Sequence, residues 1–387
     1  MAYACQMQSS FHSFQTQLWD VELTAEAVTS PLVLDEFIKT GEYSDSDCRL
    51  PEQYILPEQL CPQVAYNSYT EGTPVIDLKS FTMSDDQSTL QNSIEEVAKA
   101  LKEWRIFHVI NHGVRKEVIQ ALRAQTARLF KLPLAQKMLG HVTGSMLGYS
   151  ANEATVTDCQ KLPWSEAFTV MGSPELHVRE YASKIWPHDH DTFSCACEEY
   201  GSCFRQLAEQ IMNILINVLE VDPGHFEELR KRPLVALHPN HYPICPEPDK
   251  TLGLGPHTDP GFFTLLLLDE NVGGLQIEKD GKWIAIRPLK DAITYITGDC
   301  IEVTSQGRYK AVRHRAVTNS KQPRSSISFM YAPTPTATIS CPPELITEEQ
   351  PQIYRPFTWD DILAIRKSRA TEIHQGKLRI IDTFMKI

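Results

Sequence analysis

Residues 253–270 read GLGPHTDPGFFTLLLLDE. The apolar run Phe262-Phe263-Thr264-Leu265-Leu266-Leu267-Leu268 is bounded by Pro260-Gly261 on one side and Asp269-Glu270-Asn271 on the other. A run of that length between turn signals reads as a buried strand entered through a turn. His257 and Asp259 precede it with equal parity, so an early start to strand pairing points both to one side. Two ligand-type side chains at the mouth of an apolar sheet need a chemical reason.

A third such side chain lies downstream. The stretch Tyr309-Lys310-Ala311-Val312-Arg313-His314-Arg315-Ala316-Val317 reads as a strand that presents His314. His257, Asp259 and His314 would form a two-histidine, one-carboxylate face with open coordination positions, the ligand set of non-haem Fe(II) oxygenases. His-x-Asp alone marks many ordinary turns, and a lone strand histidine is more often bonded to backbone. The next element adds weight. Arg324-Ser325-Ser326 opens another apolar strand, Ile327-Ser328-Phe329-Met330-Tyr331. A guanidinium buried near a metal is costly unless an anion pairs with it, and an arginine fork beside a hydroxyl suits a carboxylate. A dicarboxylate keto acid would satisfy both ends, its keto-acid group on the metal and its far carboxylate on Arg324 and Ser326.

The chain has 387 residues, enough for one catalytic domain with an added N-terminal region. Its formal net charge of −12 argues against a duplex nucleic-acid or anionic-membrane partner. No stretch approaches the roughly 18 apolar residues of a spanning helix. The first basic residue is Lys39, which leaves neither a charged signal-peptide start nor an Arg-rich transit peptide. The expectation is a cytoplasmic protein, also nuclear by diffusion. The ten cysteines show no C-x-x-C pair and read as reduced thiols.

Four segments follow from texture: a partly ordered N-terminal arm over 1–70, an α/β supporting region over 71–232, the catalytic core over 233–340 and a helical region over 341–387. Ile94, Val97, Ala98 and Leu101 keep a helical step, as do Phe204, Leu207, Ile211, Leu215 and Val218. A short helix is expected near Asp35-Glu36-Phe37-Ile38. From Leu237 onward, short strands at about 8- to 12-residue spacing predict a sandwich or jelly roll. The fold class is mixed α/β with a mainly β core.

The motifs Asn240-His241-Tyr242-Pro243, Gly255-Pro256-His257-Thr258-Asp259, Gly273-Gly274-Leu275-Gln276, Gly298-Asp299, Gly307-Arg308-Tyr309-Lys310, His314-Arg315 and Arg324-x-Ser326 occur in this order. With Pro74-Val75-Ile76-Asp77-Leu78 and Asn111-His112-Gly113-Val114, the set resembles the plant 2-oxoglutarate/Fe(II)-dependent dioxygenases over residues 72–370. The resemblance implies a double-stranded β-helix (jelly roll) flanked by helices. It implies Fe(II) on His257, Asp259 and His314, and 2-oxoglutarate against Arg324, Ser326, Tyr242 and Asn240. O2 is then the second co-substrate and ascorbate the reductant. His238 stands where many relatives carry an arginine.

A narrower likeness covers Leu162-Pro163-Trp164-Ser165-Glu166-Ala167-Phe168-Thr169-Val170-Met171-Gly172-Ser173-Pro174 and Ile185-Trp186-Pro187, which resemble a stretch of gibberellin 3-oxidases. Ala167 replaces a glycine there, and Leu162-Pro163-Trp164 is similar to gibberellin 20-oxidases. The implied reaction is 3β-hydroxylation of a gibberellin-like diterpenoid carboxylate by a monomeric enzyme, in plant-hormone biosynthesis. Phe168, Phe262, Leu266 and Met330 are expected pocket walls, with Trp164 and Glu166 on a facing segment. Alternatives of the same class are a gibberellin 20-oxidase, a gibberellin 2-oxidase or a flavonoid-type dioxygenase. Outside it stand a non-catalytic ligand-binding protein on the same fold and a zinc hydrolase, which would leave Arg324 without a partner. As blander readings, His108, His112 and His241 are structural, and Trp164 and Phe168 serve equally well as core.

Overall fold

The computed structural model describes residues 50–82, 87–143, 145–151, 161–173, 175–369 and 378–386. The helix expected near Asp35 lies outside them. Among the described residues, twelve strands run in chain order as β1 (Val75–Asp77), β2 (Ile106–Ile110), β3 (Gly148–Ala151), β4 (Glu166–Gly172), β5 (Leu234–Tyr242), β6 (Leu254–His257), β7 (Phe263–Leu267), β8 (Leu275–Lys279), β9 (Lys282–Ala285), β10 (Ile293–Thr297), β11 (His314–Ala316) and β12 (Arg324–Ala332). They form an eight-stranded sheet, β1-β2-β10-β7-β12-β5-β4-β3, and a four-stranded sheet, β6-β11-β8-β9. Two sheets flanked by helices give the mixed α/β architecture with a jelly-roll core that the sequence predicts.

Alternation along the strands of the large sheet divides it into two faces. On β5 and β12, Val235, Leu237, Ile327, Phe329 and Tyr331 turn to the main apolar core. There they meet the long helix His190–Leu219, whose buried stripe includes Phe193, Phe204, Leu207, Ile211 and Leu215. The rings of Phe204 and Phe329 lie 5.7 Å apart. Burying each such side chain is worth about 1.5–3 kcal/mol, so Phe204→Ala alone would remove a large share of the helix–sheet attachment. The helix stops at Glu220, whose left-handed backbone (φ 58°) ends the ladder. The helices Gln87–Glu103 and Lys116–Phe130 bury Val97, Leu101, Val118 and Leu122 in the same core.

The expected strand over 309–317 shortens to His314–Ala316. Upstream of it, the Ala311 N–H is taken by the Glu302 carboxylate at 2.9 Å and the Val312 N–H by the Thr297 carbonyl at 3.2 Å. Those donors are therefore lost to a ladder. Residues 50–72 pack on the core region: Leu50, Tyr54 and Leu56 are buried, and Tyr69 bridges to Ala285 on β9. Among the described residues no helix is long and apolar enough to cross a membrane.

Candidate metal centre and co-substrate pocket

His257 ends β6 and His314 opens β11, and the two are direct partners in the small sheet. Their ring centroids stand 4.2 Å apart. Asp259 follows two residues after His257, in the turn before β7. One ligand-type atom from each of the three lies within 4.8 Å of the others. The His257 Nε2 is 3.5 Å and the His314 Nε2 3.8 Å from the same Asp259 oxygen.

Tautomers follow from the backbone. His257 Nδ1 lies 2.8 Å from the Gly255 carbonyl and His314 Nδ1 3.1 Å from the Val312 carbonyl. A carbonyl only accepts, so each Nδ1 carries the proton and each Nε2 turns a lone pair toward Asp259. Burial and the neighbouring His257 push the His314 imidazole down to about 4, which keeps it neutral. Burial works to lower His257, but the Asp259 carboxylate outweighs it and the pKa rises. Burial works to raise Asp259, yet His314 and His257 hold it well below the usual carboxylate range. One anionic oxygen and two imidazole lone pairs converging on one point are the donor set of a divalent metal of Fe(II) type.

The large sheet supplies the second half. Arg324 pairs with Tyr242 across β12 and β5, Ser326 with Asn240, Ser328 with His238 and Met330 with Ala236. All eight share a parity, and all line one cavity of about 260 Å³ with the three metal-type ligands. Arg324 is 2% exposed. Its guanidinium stacks 4.8 Å from the Tyr242 ring, and among the described residues Nε and Nη1 find no hydrogen-bond partner. A buried cation with orphaned donors in a cavity is a seat for an anion. Gly274 makes room for it: a Cβ there would lie 3.0 Å from Arg324 Cδ, and the backbone sits at φ +138°.

Not every residue expected at the pocket is there. Leu266 and Met330 line the cavity, whereas Trp164, Glu166, Phe168 and Phe262 do not. Trp164 packs edge-on against Tyr54 and donates Nε1–H to the Ile244 carbonyl. Glu166 is buried in an ion pair with Lys137 and accepts from the Tyr149 hydroxyl. Phe168 packs on Phe193 in the main core. The physical reason is register: Glu166 pairs with His241 and Ala167 with Asn240, so Glu166 and Phe168 share the core-facing parity. Phe262 precedes β7 and packs in the core beside Tyr331.

The cavity holds residues that motif reading missed. Thr169 has the correct parity on β4 and hydrogen-bonds His238. Asp299 contributes a buried carboxyl, pushed up to about 7 by burial against the pull of Arg379. Arg366, on the helix Trp359–Ser368, and Leu378, Arg379 and Ile380 close the lining. Strand alternation points to Thr169 and Ser328. No local signal points to the C-terminal residues, which arrive through tertiary folding.

Metal-type ligands on the small sheet and an anion seat on the large one suit a keto acid held across both. Residues 233–333 match the 2OG-Fe(II) oxygenase superfamily, and residues 73–189 match the family described as the N-terminal region of a non-haem dioxygenase in morphine synthesis. The chain thus belongs to the plant 2-oxoglutarate- and Fe(II)-dependent dioxygenases, with Fe(II) as cofactor and 2-oxoglutarate as co-substrate. It is 32% identical to jasmonate-induced oxygenase 2 of Arabidopsis thaliana over 86% of this chain and 88% of that protein. It is 33% identical to gibberellin 20 oxidase 1 of Arabidopsis thaliana over 81% of this chain and 86% of that protein. The crystal structure of JOX2 in complex with 2OG, Fe and JA superposes with a TM-score of 0.75 at 28% identity, covering 92% of this chain and 99% of the other. The protein is an oxygenase acting on a small plant metabolite.

Proposed function

We propose that His257, Asp259 and His314 hold the iron, that Arg324 and Ser326 with Tyr242 and Asn240 seat 2-oxoglutarate, and that the substrate is a small apolar plant acid. When bound, Fe(II) would activate O2, the oxidant that is consumed as 2-oxoglutarate is oxidised to succinate and CO2 and the substrate is oxidised alongside it. The chain's own part is to orient both substrates and exclude water. The observation that carries the seat is the buried, orphaned Arg324 beside Ser326, on the same cavity as the three ligands.

Gibberellin 3β-hydroxylation is the reaction we test first. Ala236, Leu266, Ile296, Met330, Leu378 and Ile380 give the remaining cavity an apolar wall suited to a rigid hydrocarbon skeleton. A guanidinium, Arg366, suits a carboxylate. The segment similar to gibberellin 3-oxidases reaches this cavity through Thr169. A jasmonate-type acid is the second reading, favoured by the near full-length likeness to JOX2.

The test is an Fe(II) and ascorbate assay with 2-oxoglutarate against a panel of gibberellins, jasmonic acid and flavanones, following succinate and product mass. A 3-deoxy gibberellin gaining one oxygen, with loss in His257→Ala and Asp259→Ala, supports the reading. Oxidation of jasmonic acid alone moves the assignment to the second reading. Succinate without any oxidised panel member removes the hormone assignment and leaves the metal and co-substrate assignments standing.

A further inference from the structure

Glu302 is fully buried on the short helix Asp299–Thr304 and stands at a junction of three segments. Its carboxylate accepts from the Ala311 N–H at 2.9 Å, the Tyr354 hydroxyl at 2.8 Å and Lys310 Nζ at 3.1 Å. Arg379 adds a two-pronged contact, Nη2 to Oε1 at 2.9 Å and Nη1 to Oε2 at 3.2 Å. Arg379 also donates to Asp382 at 3.0 Å. Such a fork fixes orientation as well as distance.

The Arg379 segment lines the cavity, and the Ala311 segment leads into the run Arg313-His314-Arg315-Ala316 that also lines it. Arg379 lies between Leu378 and Ile380, and all three line it. Ala311 is three residues before His314, and the next carbonyl, Val312, holds His314 Nδ1. The helix that carries Glu302 starts at Asp299, whose N–H donates to the Asp259 carbonyl at 2.8 Å. Beyond Arg379 the tail is pinned by Arg355 N–H to the Phe384 carbonyl, Lys386 N–H to the Ile353 carbonyl, and stacking of Phe357 on Phe384 at 4.1 Å.

We propose that Glu302 and Arg379 are positioning residues for the substrate: their ion pair holds Leu378 and Ile380 as a fixed wall of the substrate chamber, in register with the segments that carry His257, Asp259 and His314. Leu378 and Ile380 are then specificity-determining, while the 2-oxoglutarate seat around Arg324 is independent of the pair. The inference rests on the iron and 2-oxoglutarate chemistry of the family and not on which metabolite is oxidised.

The test compares the full-length wild type with Arg379→Gln, Arg379→Lys and Leu378→Ala, the last keeping the ion pair. In Arg379→Gln, amide exchange over Ile380–Phe384 accelerates about tenfold while β12 is unchanged. The KM for 2-oxoglutarate stays within about twofold. Succinate formed without a second substrate rises about fivefold, because water and ascorbate gain access from that side. With a substrate from the panel, product per succinate falls and substrate KM rises. Arg379→Lys restores part of both, and Leu378→Ala changes substrate preference with normal exchange. Unchanged exchange in Arg379→Gln would overturn the clamp, and accelerated exchange with unaltered succinate formation and coupling would overturn the wall. Exchange needs no turnover, so a preparation forming no succinate counts against the oxygenase function while the clamp is still decided.

Discussion

Replacing Arg324 by methionine separates ligand binding from folding, because the two should respond with opposite sign. In the protein without 2-oxoglutarate, Arg324 is a cation at 2% exposure, with Nε and Nη1 unpartnered among the described residues. Leaving buried polar atoms unpaired costs about 1–3 kcal/mol each. Methionine keeps the apolar stem and removes that cost, so Arg324→Met without 2-oxoglutarate should be at least as stable as wild type. With the dicarboxylate bound, the same change removes a charge-assisted fork worth about 3–5 kcal/mol. At about 1.4 kcal/mol per decade, the KM for 2-oxoglutarate rises roughly a hundred- to a few thousandfold. Arg324→Lys, which keeps charge and loses the fork, falls between. The assay is initial succinate formation against 2-oxoglutarate concentration, beside melting curves with and without it. Wild type gains melting temperature with the co-substrate and the methionine variant does not. A variant that melts early alone and keeps its KM for 2-oxoglutarate would refute the assignment of Arg324 as an anion seat.

Three further outcomes can be measured on the same preparations. Gly274→Ala should raise the KM for 2-oxoglutarate and cost about 1–3 kcal/mol in denaturant unfolding, since φ +138° disfavours any side chain and the new Cβ meets Arg324 and the Val317 carbonyl. Lys137→Met should cost about 3–5 kcal/mol by stranding Glu166, and the double variant Lys137→Met/Glu166→Leu should recover most of it; unchanged substrate KM in the double variant separates this pair from the pocket. Burial works to raise Glu302, but Arg379, Ala311 and Lys310 hold it from an ordinary 4.5 down to about 2. A depressed carboxyl stabilises the fold above its unfolded value, so this contribution, roughly 3 kcal/mol, is full above pH about 4.5 and lost as pH falls toward about 2. Glu302→Gln should therefore flatten that limb of the acid-unfolding curve.

The strands that carry the site are legible because their chemistry and their register coincide. His257 and Asp259 sit before an apolar run, and Arg324 and Ser326 open another, at the spacing that alternation requires for side chains on one face. The same rule would have turned Glu166 and Phe168 away from the pocket and brought Thr169 in, had the pairing of β4 with β5 been known. A one-residue shift in register exchanges the two faces, and nothing local to residues 162–174 sets it. Trp164 and Phe262 lie just outside their strands, where alternation says nothing. Arg379 and Ile380 are further from reach, because they join the cavity through contacts distant in sequence, among them a buried carboxylate 77 residues upstream of Arg379.

Arg324 and Arg379 line one cavity, and what surrounds each separates their work. Arg379 is matched within the chain: Glu302 and Asp382 take its donors, so it needs no ligand and serves to place the wall that bears it. Arg324 faces serines, an asparagine and an aromatic ring, with no carboxylate hydrogen-bonded to it among the described residues. A chain that keeps such a cation pays its desolvation in every molecule that lacks the partner. An anion that reaches Arg324 recovers that charge, and under the proposed assignment a ligand of the right length spans from there to the metal ligands. That condition admits a dicarboxylate keto acid and gives a zinc hydrolase no use for Arg324. Under the proposed assignment the substrate takes the rest of the cavity, and Thr169, Arg366, Leu378 and Ile380 are the side chains to exchange to test a change in the choice of metabolite.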